Sequence, residues 1–184
     1  MKSNKNNQIP ISLIVLTYNE EENIEFCLKS VCSLVNEIII IDSYSTDKTI
    51  EICKQYTNKI YEHKFENQAK QFNWALVNVP ISSDWVMRLD ADEMLTLELK
   101  DEIGKLFEDF KSVKENDKDI TGMYLKRRVY FMGKWIKHGD YYPIWLLRIF
   151  KKDCGRYEEI TEEHIVLSKG KAIKLKNDFI DYNR

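Results

Sequence analysis

The sequence predicts an α/β fold, a mostly parallel sheet flanked by helices, with a small mixed or antiparallel lobe formed by its C-terminal third. Two observations carry this. Short β-branched runs alternate with segments whose apolar residues recur at helical spacing, the pattern of a parallel sheet covered on both faces. Beyond residue 120 the pattern changes to strands separated by turns.

Residues 1–8 are polar, and 11–16 (Ile-Ser-Leu-Ile-Val-Leu) read as a buried strand. Asn19 is placed to cap a helix with an acidic first turn (Glu20, Glu21, Glu22) and an apolar stripe through Ile24, Cys27, Leu28, Val31, Leu34 and Val35. The plan repeats as a strand at 37–42, a polar loop and a helix at 47–56, with Ser45 or Thr46 as its cap. A strand at 59–63, a helix at 68–77, a strand at 84–89 and a helix at 97–110 follow. A charged link, 111–119, marks a subdomain border. Strands are expected at 123–130 and 143–150, a turn at 151–155, and short strands at 165–167 and 172–175.

With 184 residues, a single domain spanning 1–184 is expected. All six glycines lie beyond residue 103, which excludes both a P-loop and a GxGxxG dinucleotide fingerprint from the front half. Residues 1–120 hold 14 Lys and Arg against 22 Asp and Glu, whereas 121–184 hold 14 against 8. The acidic front argues against nucleic-acid binding. The basic back could meet an anionic acceptor or touch a membrane surface peripherally. Four cysteines without a CxxC pair, and no signal-peptide pattern, point to reduced thiols in a cytoplasmic protein, with peripheral contact at the inner face of the cytoplasmic membrane left open. The longest apolar runs, such as 38–41, are far short of the ~20 residues that cross a bilayer.

In parallel α/β sheets ligands sit outside the carboxyl ends of the strands. Three polar groups lie there: Thr17-Tyr-Asn-Glu20, Asp42 with its loop, and Asp90-Ala91-Asp92. Asp90 and Asp92, at i and i+2 of an extended chain, share a face, and a hard cation such as Mg²⁺ or Mn²⁺ is their natural partner. Such a cation can bridge to a diphosphate and replace the charge neutralisation that a glycine-rich loop would supply. Capping of the following turn is the alternative for both acids. Asp42 can accept hydrogen bonds from a ribose or a base, while Asp47 holds the loop.

Taken in order, residues 14–20 (Ile-Val-Leu-Thr-Tyr-Asn-Glu), the Asp42-x-x-Ser-x-Asp47-x-Thr49 stretch, the Gln71-Phe-Asn73 region and 89–93 (Leu-Asp-Ala-Asp-Glu) resemble the donor-binding half of glycosyltransferase family 2. The resemblance covers roughly residues 9 to 95. It implies a GT-A (Rossmann-like) fold, a nucleotide-sugar donor, usually a UDP-sugar, a divalent metal (Mg²⁺ or Mn²⁺) and inverting transfer to an acceptor hydroxyl. On it, residues 9–110 form the donor-binding half and 120–184 the acceptor and catalytic half. Thr17, Tyr18 and Glu20 would line the nucleoside pocket, and Asp42 would bind uracil or ribose. Lys70 and Asn73 would approach the base or the diphosphate. Asp90 would meet ribose or metal-bound water beside Ala91, and Asp92 would ligate the metal. Tyr44 and Gln71-Phe72 depart from the family's usual glycines and Ala-Arg-Asn.

The stretch from Leu147 through Gly155-Arg-Tyr157 to Glu163-His164-Ile165 resembles a branch that includes bacterial lipopolysaccharide-core and surface-glycan transferases. That likeness implies a catalytic base in the Glu/His element, Glu163 first and Glu162 second, acting on a glycan or lipid-linked glycan acceptor. A solvated acidic loop is the alternative. Arg148 could clamp the leaving diphosphate, or pack its stem on an aromatic. Two further readings compete. A sugar-phosphate nucleotidyltransferase would want a glycine-rich basic loop where Tyr18-Asn-Glu-Glu-Glu22 stands. A catalytically silent nucleotide-sugar-binding domain would fit a chain lacking the C-terminal helices that relatives generally carry.

Overall fold

A computed structural model describes residues 8–111, 119–158 and 164–183. Among the described residues, eleven strands and four helices are found in the order β1 (Ile9–Thr17), α1 (Ile24–Val31), β2 (Val35–Asp42), α2 (Thr49–Cys53), β3 (Ile60–Glu62), α3 (Gln68–Asn78), β4 (Trp85–Asp90), β5 (Glu93–Leu95), α4 (Leu97–Lys111), β6 (Ile120–Phe131), β7 (Lys134–Trp135), β8 (Ile144–Lys151), β9 (Gly155–Tyr157), β10 (Ile165–Leu167) and β11 (Lys171–Asn183). One sheet runs β3-β2-β1-β4-β8-β6-β11-β5, with β7 paired to β6.

The front of the sheet is parallel, as expected: β1 pairs with β2 and β4, and β2 with β3. The back third is mixed: β8, β6 and β11 continue that sheet, while β9 and β10 pair antiparallel as a two-stranded sheet of their own. β8 joins β4 antiparallel, β6 joins β8 antiparallel, and β11 joins β6 parallel. Strands β5, β7 and β9 are additions to the expected elements, each of only two or three residues.

Side-chain alternation along β1 explains why both faces are covered. Ile11, Leu13 and Val15 enter one core with Ile24, Leu28 and Ile103 from α1 and α4, and Ile14 enters the other with Phe72 and Ala75 from α3. The first helix is shorter than its apolar stripe suggests, because Val35 already begins β2. Asn19 is not its cap. It adopts φ 52°, and its side chain accepts from the Thr46 amide while its own amide donates to Ser45 Oγ. Neither Ser45 nor Thr46 caps α2. Asn67, by contrast, caps α3 by accepting from the Lys70 amide at 2.8 Å. All four cysteines are free thiols, three of them buried. Among the described residues, no helix is long and apolar enough to cross a membrane.

Candidate active site

The loops after β1, β2 and β4 open at the carboxyl edge of the parallel strands, where chain geometry puts ligand sites. They enclose a cavity of about 710 Å³ whose wall includes Thr17, Tyr18, Glu20, Asp90, Ala91 and Asp92. Tyr44, Lys64, Phe65 and Gln68 add to that wall from the second and third crossovers, and Arg127 and Asp181 from β6 and β11. Three half-exposed aromatics at the cavity, Tyr18, Tyr44 and Phe65, offer faces on which a flat heterocycle can stack.

The β1 and β2 loops are tied together by short side-chain bonds. Asp47 accepts from the Glu21 amide at 3.1 Å and the Thr49 amide at 2.9 Å, and Thr49 Oγ1 accepts from the Glu20 amide at 2.7 Å. Asp42 belongs to this lattice. Buried at the end of β2, it accepts from the Ser45 amide at 2.8 Å and the Ser45 hydroxyl at 2.5 Å, and it is not among the residues lining the cavity. Its placement therefore shapes the loop that presents Tyr44, which has φ 64°.

Lys70 and Asn73 also lie off the cavity wall. Lys70 is exposed and pairs with Glu66 at 2.6 Å. Asn73 donates to the Tyr157 carbonyl at 3.0 Å and accepts the Tyr157 amide at 2.9 Å, pinning α3 to β9. These placements follow from α3 presenting Asn73 to β9 instead of to the strand ends.

The two acids of the Asp90-Ala91-Asp92 motif sit in different electrostatic settings. Asp90 accepts from Arg88 at 2.6 Å and from Arg148 at 3.2 Å, and its amide donates to Glu93 at 2.9 Å. Arg148 also pairs closely with buried Glu93. Burial pushes the Asp90 carboxyl up, but the two arginines outweigh it and hold it below the usual range. Burial pushes Glu93 up despite Arg148 beside it. Arg148 is thus a buried cation paired with both acids, and its guanidinium also lies 5.5 Å from the Phe179 ring centroid.

Asp92 has no such partner: among the described residues no Lys or Arg forms an ion pair with it. Burial first, then Asp181, Asp90 and Glu20, push its carboxyl up to about 6. Nearby Asp181 is raised by burial too, although Arg127 pairs with it at 3.5 Å. Among the described residues, no three His, Cys, Asp or Glu side chains form a metal-holding group. That donor set still suits Mg²⁺ or Mn²⁺, which bind through one or two carboxylates together with substrate phosphates and water.

A second cavity, about 650 Å³, shares Gln68, Asp90 and Arg127 with the first. Its wall includes Arg88, Trp145, Arg148, Tyr157 and His164, the last 3.5 Å from Glu158. Glu162 and Glu163 lie outside the described residues, between Glu158 and His164. Arg88, Glu93, Arg127 and Asp181 are site residues that sequence reasoning missed. Arg88 and Glu93 carried a local signal, the first two positions before Asp90 on the same strand face and the second closing the 89–93 motif.

The model of the family described as Glycosyl transferase family 2 matches residues 12–165. The chain belongs to glycosyltransferase family 2. The lipopolysaccharide core biosynthesis glycosyltransferase LpsC of Rhizobium meliloti is 27% identical over 164 residues, covering 85% of this chain and 56% of LpsC. An uncharacterized glycosyltransferase of Rickettsia bellii is 36% identical over 97 residues, covering 53% of this chain and 32% of its own length. The chain therefore spans about a third of the length of several curated relatives it matches. Among solved structures, the mannosyltransferase PcManGT from Pyrobaculum calidifontis, in complex with GDP-Man and Mn²⁺, superposes over 100% of this chain and 59% of its own, with a TM-score of 0.60 at 16% identity. TarS 1–349 of S. aureus, in complex with UDP-GlcNAc, covers 96% of this chain and 59% of its own, with a TM-score of 0.58 at 16% identity. These likenesses establish the GT-A fold for this family 2 chain.

Proposed function

We propose that this chain carries the donor-binding and transfer core of a metal-dependent, inverting glycosyltransferase. It would move a sugar from a nucleotide-sugar, a UDP-sugar in our reading, to a hydroxyl of a glycan or lipid-linked glycan in bacterial surface-glycan or lipopolysaccharide assembly. The observation that carries the proposal is Asp92, a carboxylate on the cavity wall whose charge is opposed by burial and three acidic neighbours and matched by no protein cation among the described residues. The similarity to LpsC across most of the chain supports the glycan class. A nucleotidyltransferase is disfavoured by family membership and by the acidic loop after β1.

In this mechanism Tyr18, Tyr44 and Phe65 stack and orient the nucleoside, and Asp92 with Asp181 would hold Mg²⁺ or Mn²⁺ at the diphosphate end of the cavity. The bound cation would neutralise negative charge on the departing diphosphate. Glu163, or Glu162, takes the acceptor hydroxyl proton as that oxygen bonds the anomeric carbon. The bond from that carbon to the donor phosphate oxygen breaks, its electron pair leaves with the diphosphate, and the configuration inverts. One carboxylate suffices because no covalent glycosyl-enzyme forms. Arg88 and Arg148 act one step back, holding Asp90 in place at the junction of the two cavities.

Melting the protein with UDP, GDP or no nucleotide, each with and without Mn²⁺, tests the donor site. UDP with Mn²⁺ should raise the melting temperature of the wild type, and Asp92→Ala should remove most of the rise. No rise with any nucleoside diphosphate would sink the reading.

A further inference from the structure

The hairpin joining β6 to β7 is built against its own sequence preferences. Phe131 pairs with Lys134, leaving a two-residue loop, Met132-Gly133, with φ of 49° and 73°. Loops with two positive φ values favour Asn-Gly, and a methionine there is uncommon. This methionine is also 79% exposed, and Phe131 beside it 52%. The following loop returns an exposed Tyr141. Large apolar side chains clustered at a protruding tip mark a contact surface more often than scattered exposure does.

Cations accompany the tip. Lys134 and Lys137 are exposed, and among the described residues neither forms an ion pair. Lys137 Nζ lies 4.3 Å from the Trp135 ring centroid, and Trp135 packs edge-on against Tyr142 at 5.2 Å. A half-buried indole beneath a lysine is the pairing that suits the boundary between apolar and aqueous layers. The other nearby cations are already matched: Lys126 and Arg128 with Asp178, and Arg127 with Asp181.

Sheet register places this tip relative to the cleft. Met87 of β4 pairs with Ile149 of β8, so β8 back to Ile144 runs beyond the carboxyl end of β4. Arg127 of β6 pairs with Ile144 and lines both cavities. At about 3.4 Å per residue, the rest of β6 carries Phe131 more than about 10 Å past that level. The tip thus rises from the rim of the cleft on its open side.

We infer that the hairpin tip around Phe131 and Met132, with Lys134 and Lys137, docks on an anionic lipid bilayer and sets the cleft against that surface. Charge decides for this occupant: the tip joins an apolar wedge to unmatched lysines, in the C-terminal third of the chain, where 121–184 hold 14 basic against 8 acidic residues. The inference rests on the proposed function only in the clause that a lipid-linked acceptor would reach the cleft there.

Flotation of the protein with lipid vesicles, without donor or acceptor, tests it. The wild type should float with phosphatidylcholine vesicles containing roughly a third phosphatidylglycerol, and bind pure phosphatidylcholine far more weakly, as expected where surface charge draws in basic side chains. Lys134→Gln with Lys137→Gln should weaken binding about thirtyfold, at the strength expected for two surface cations. Phe131→Ser with Met132→Ser should weaken it by at least about tenfold through lost apolar insertion. Circular dichroism melts and the UDP and Mn²⁺ thermal shift should stay at wild-type values in both variants. Absent flotation of the wild type, or wild-type flotation of both variants, overturns the docking inference while an intact nucleotide shift leaves the donor site standing. Loss of the nucleotide shift with flotation preserved does the reverse. If light scattering finds a dimer that Phe131→Ser with Met132→Ser dissociates, and vesicles do not bind, a second copy covers the tip and the inference fails.

Discussion

Asp90 and Asp92 are one residue apart on the same strand end, yet the fold treats them in opposite ways. Asp90 sits inside a closed set of charges, Arg88 and Arg148 against Asp90 and Glu93, in which every carboxylate has an arginine. Asp92 faces the cavity with Asp181 and Glu20 near it and no paired cation among the described residues. The first group holds a wall between two cavities. The second leaves negative charge uncompensated where a cation and a diphosphate would meet. A strand-end Asp-x-Asp therefore need not be two equivalent carboxylates: protein cations neutralise one and leave the other unpaired among the described residues.

The largest effect should come from opening the closed set. Arg148→Met takes the cation from buried Glu93 and one of the two arginines from ionised Asp90, and breaking a buried ion-pair set this way costs about 3–5 kcal/mol. Urea unfolding of the variant measures the loss, and adding Glu93→Gln should restore a large part of it. A cost below about 1 kcal/mol would show that the arginines do not hold the wall.

The open acid should respond with the opposite sign. Its carboxyl, ordinarily near 3.8, is raised to about 6, so the fold favours the protonated form. Asp92 therefore contributes stability below about pH 4 and loses it as pH rises through about 6. Asp92→Asn should stabilise the ligand-free protein at pH 7 by roughly 1 to 2 kcal/mol, less than the whole shift would give because water reaches part of the side chain. Thermal melts at pH 5 and pH 7 check this: the advantage of the variant should shrink at the lower pH. An Asn variant less stable than wild type at pH 7 would mean that Asp92 has a protein partner after all.

What the sequence made legible divides along the same line. Strand ends after regular apolar runs are local, so Thr17, Tyr18, Glu20, Asp90, Ala91 and Asp92 could be placed at one edge, and all of them line the cavity. Partners from distant segments could not be read. Arg148 meets Glu93 across 55 positions, and Asn73 meets Tyr157 across 84, and no local period encodes either pairing. Asp42 and Asn19 show a subtler limit. A short polar side chain beside a strand end satisfies loop amides as readily as it caps a helix or meets a ligand, and here loop amides took both. The turns of the back third interrupt the parallel pattern and mark it as a mixed lobe, but they do not say which front strand it joins. Hydrogen-bond pairing of β8 with β4, invisible in sequence, joins β8, β6 and β11 to the parallel front.

The smallest effect concerns the lysines, and it sharpens which side of the comparison a cation belongs to. Lys64 lines the open cavity and, among the described residues, forms no ion pair, whereas Lys70 lies on the exposed face of α3 against Glu66. An exposed pair of this kind contributes a few tenths of a kcal/mol, so Lys70→Ala should change stability by less than about 0.5 kcal/mol and leave UDP and Mn²⁺ affinity nearly unmoved. Lys64→Ala removes a cation facing the site where phosphate charge would lie and should weaken that affinity about fivefold, roughly 1 kcal/mol. Calorimetric titration of the two variants side by side separates them. Were Lys70→Ala the more damaging, α3 would have to turn its exposed face toward the donor, and the cavity wall would need to be redrawn to include it.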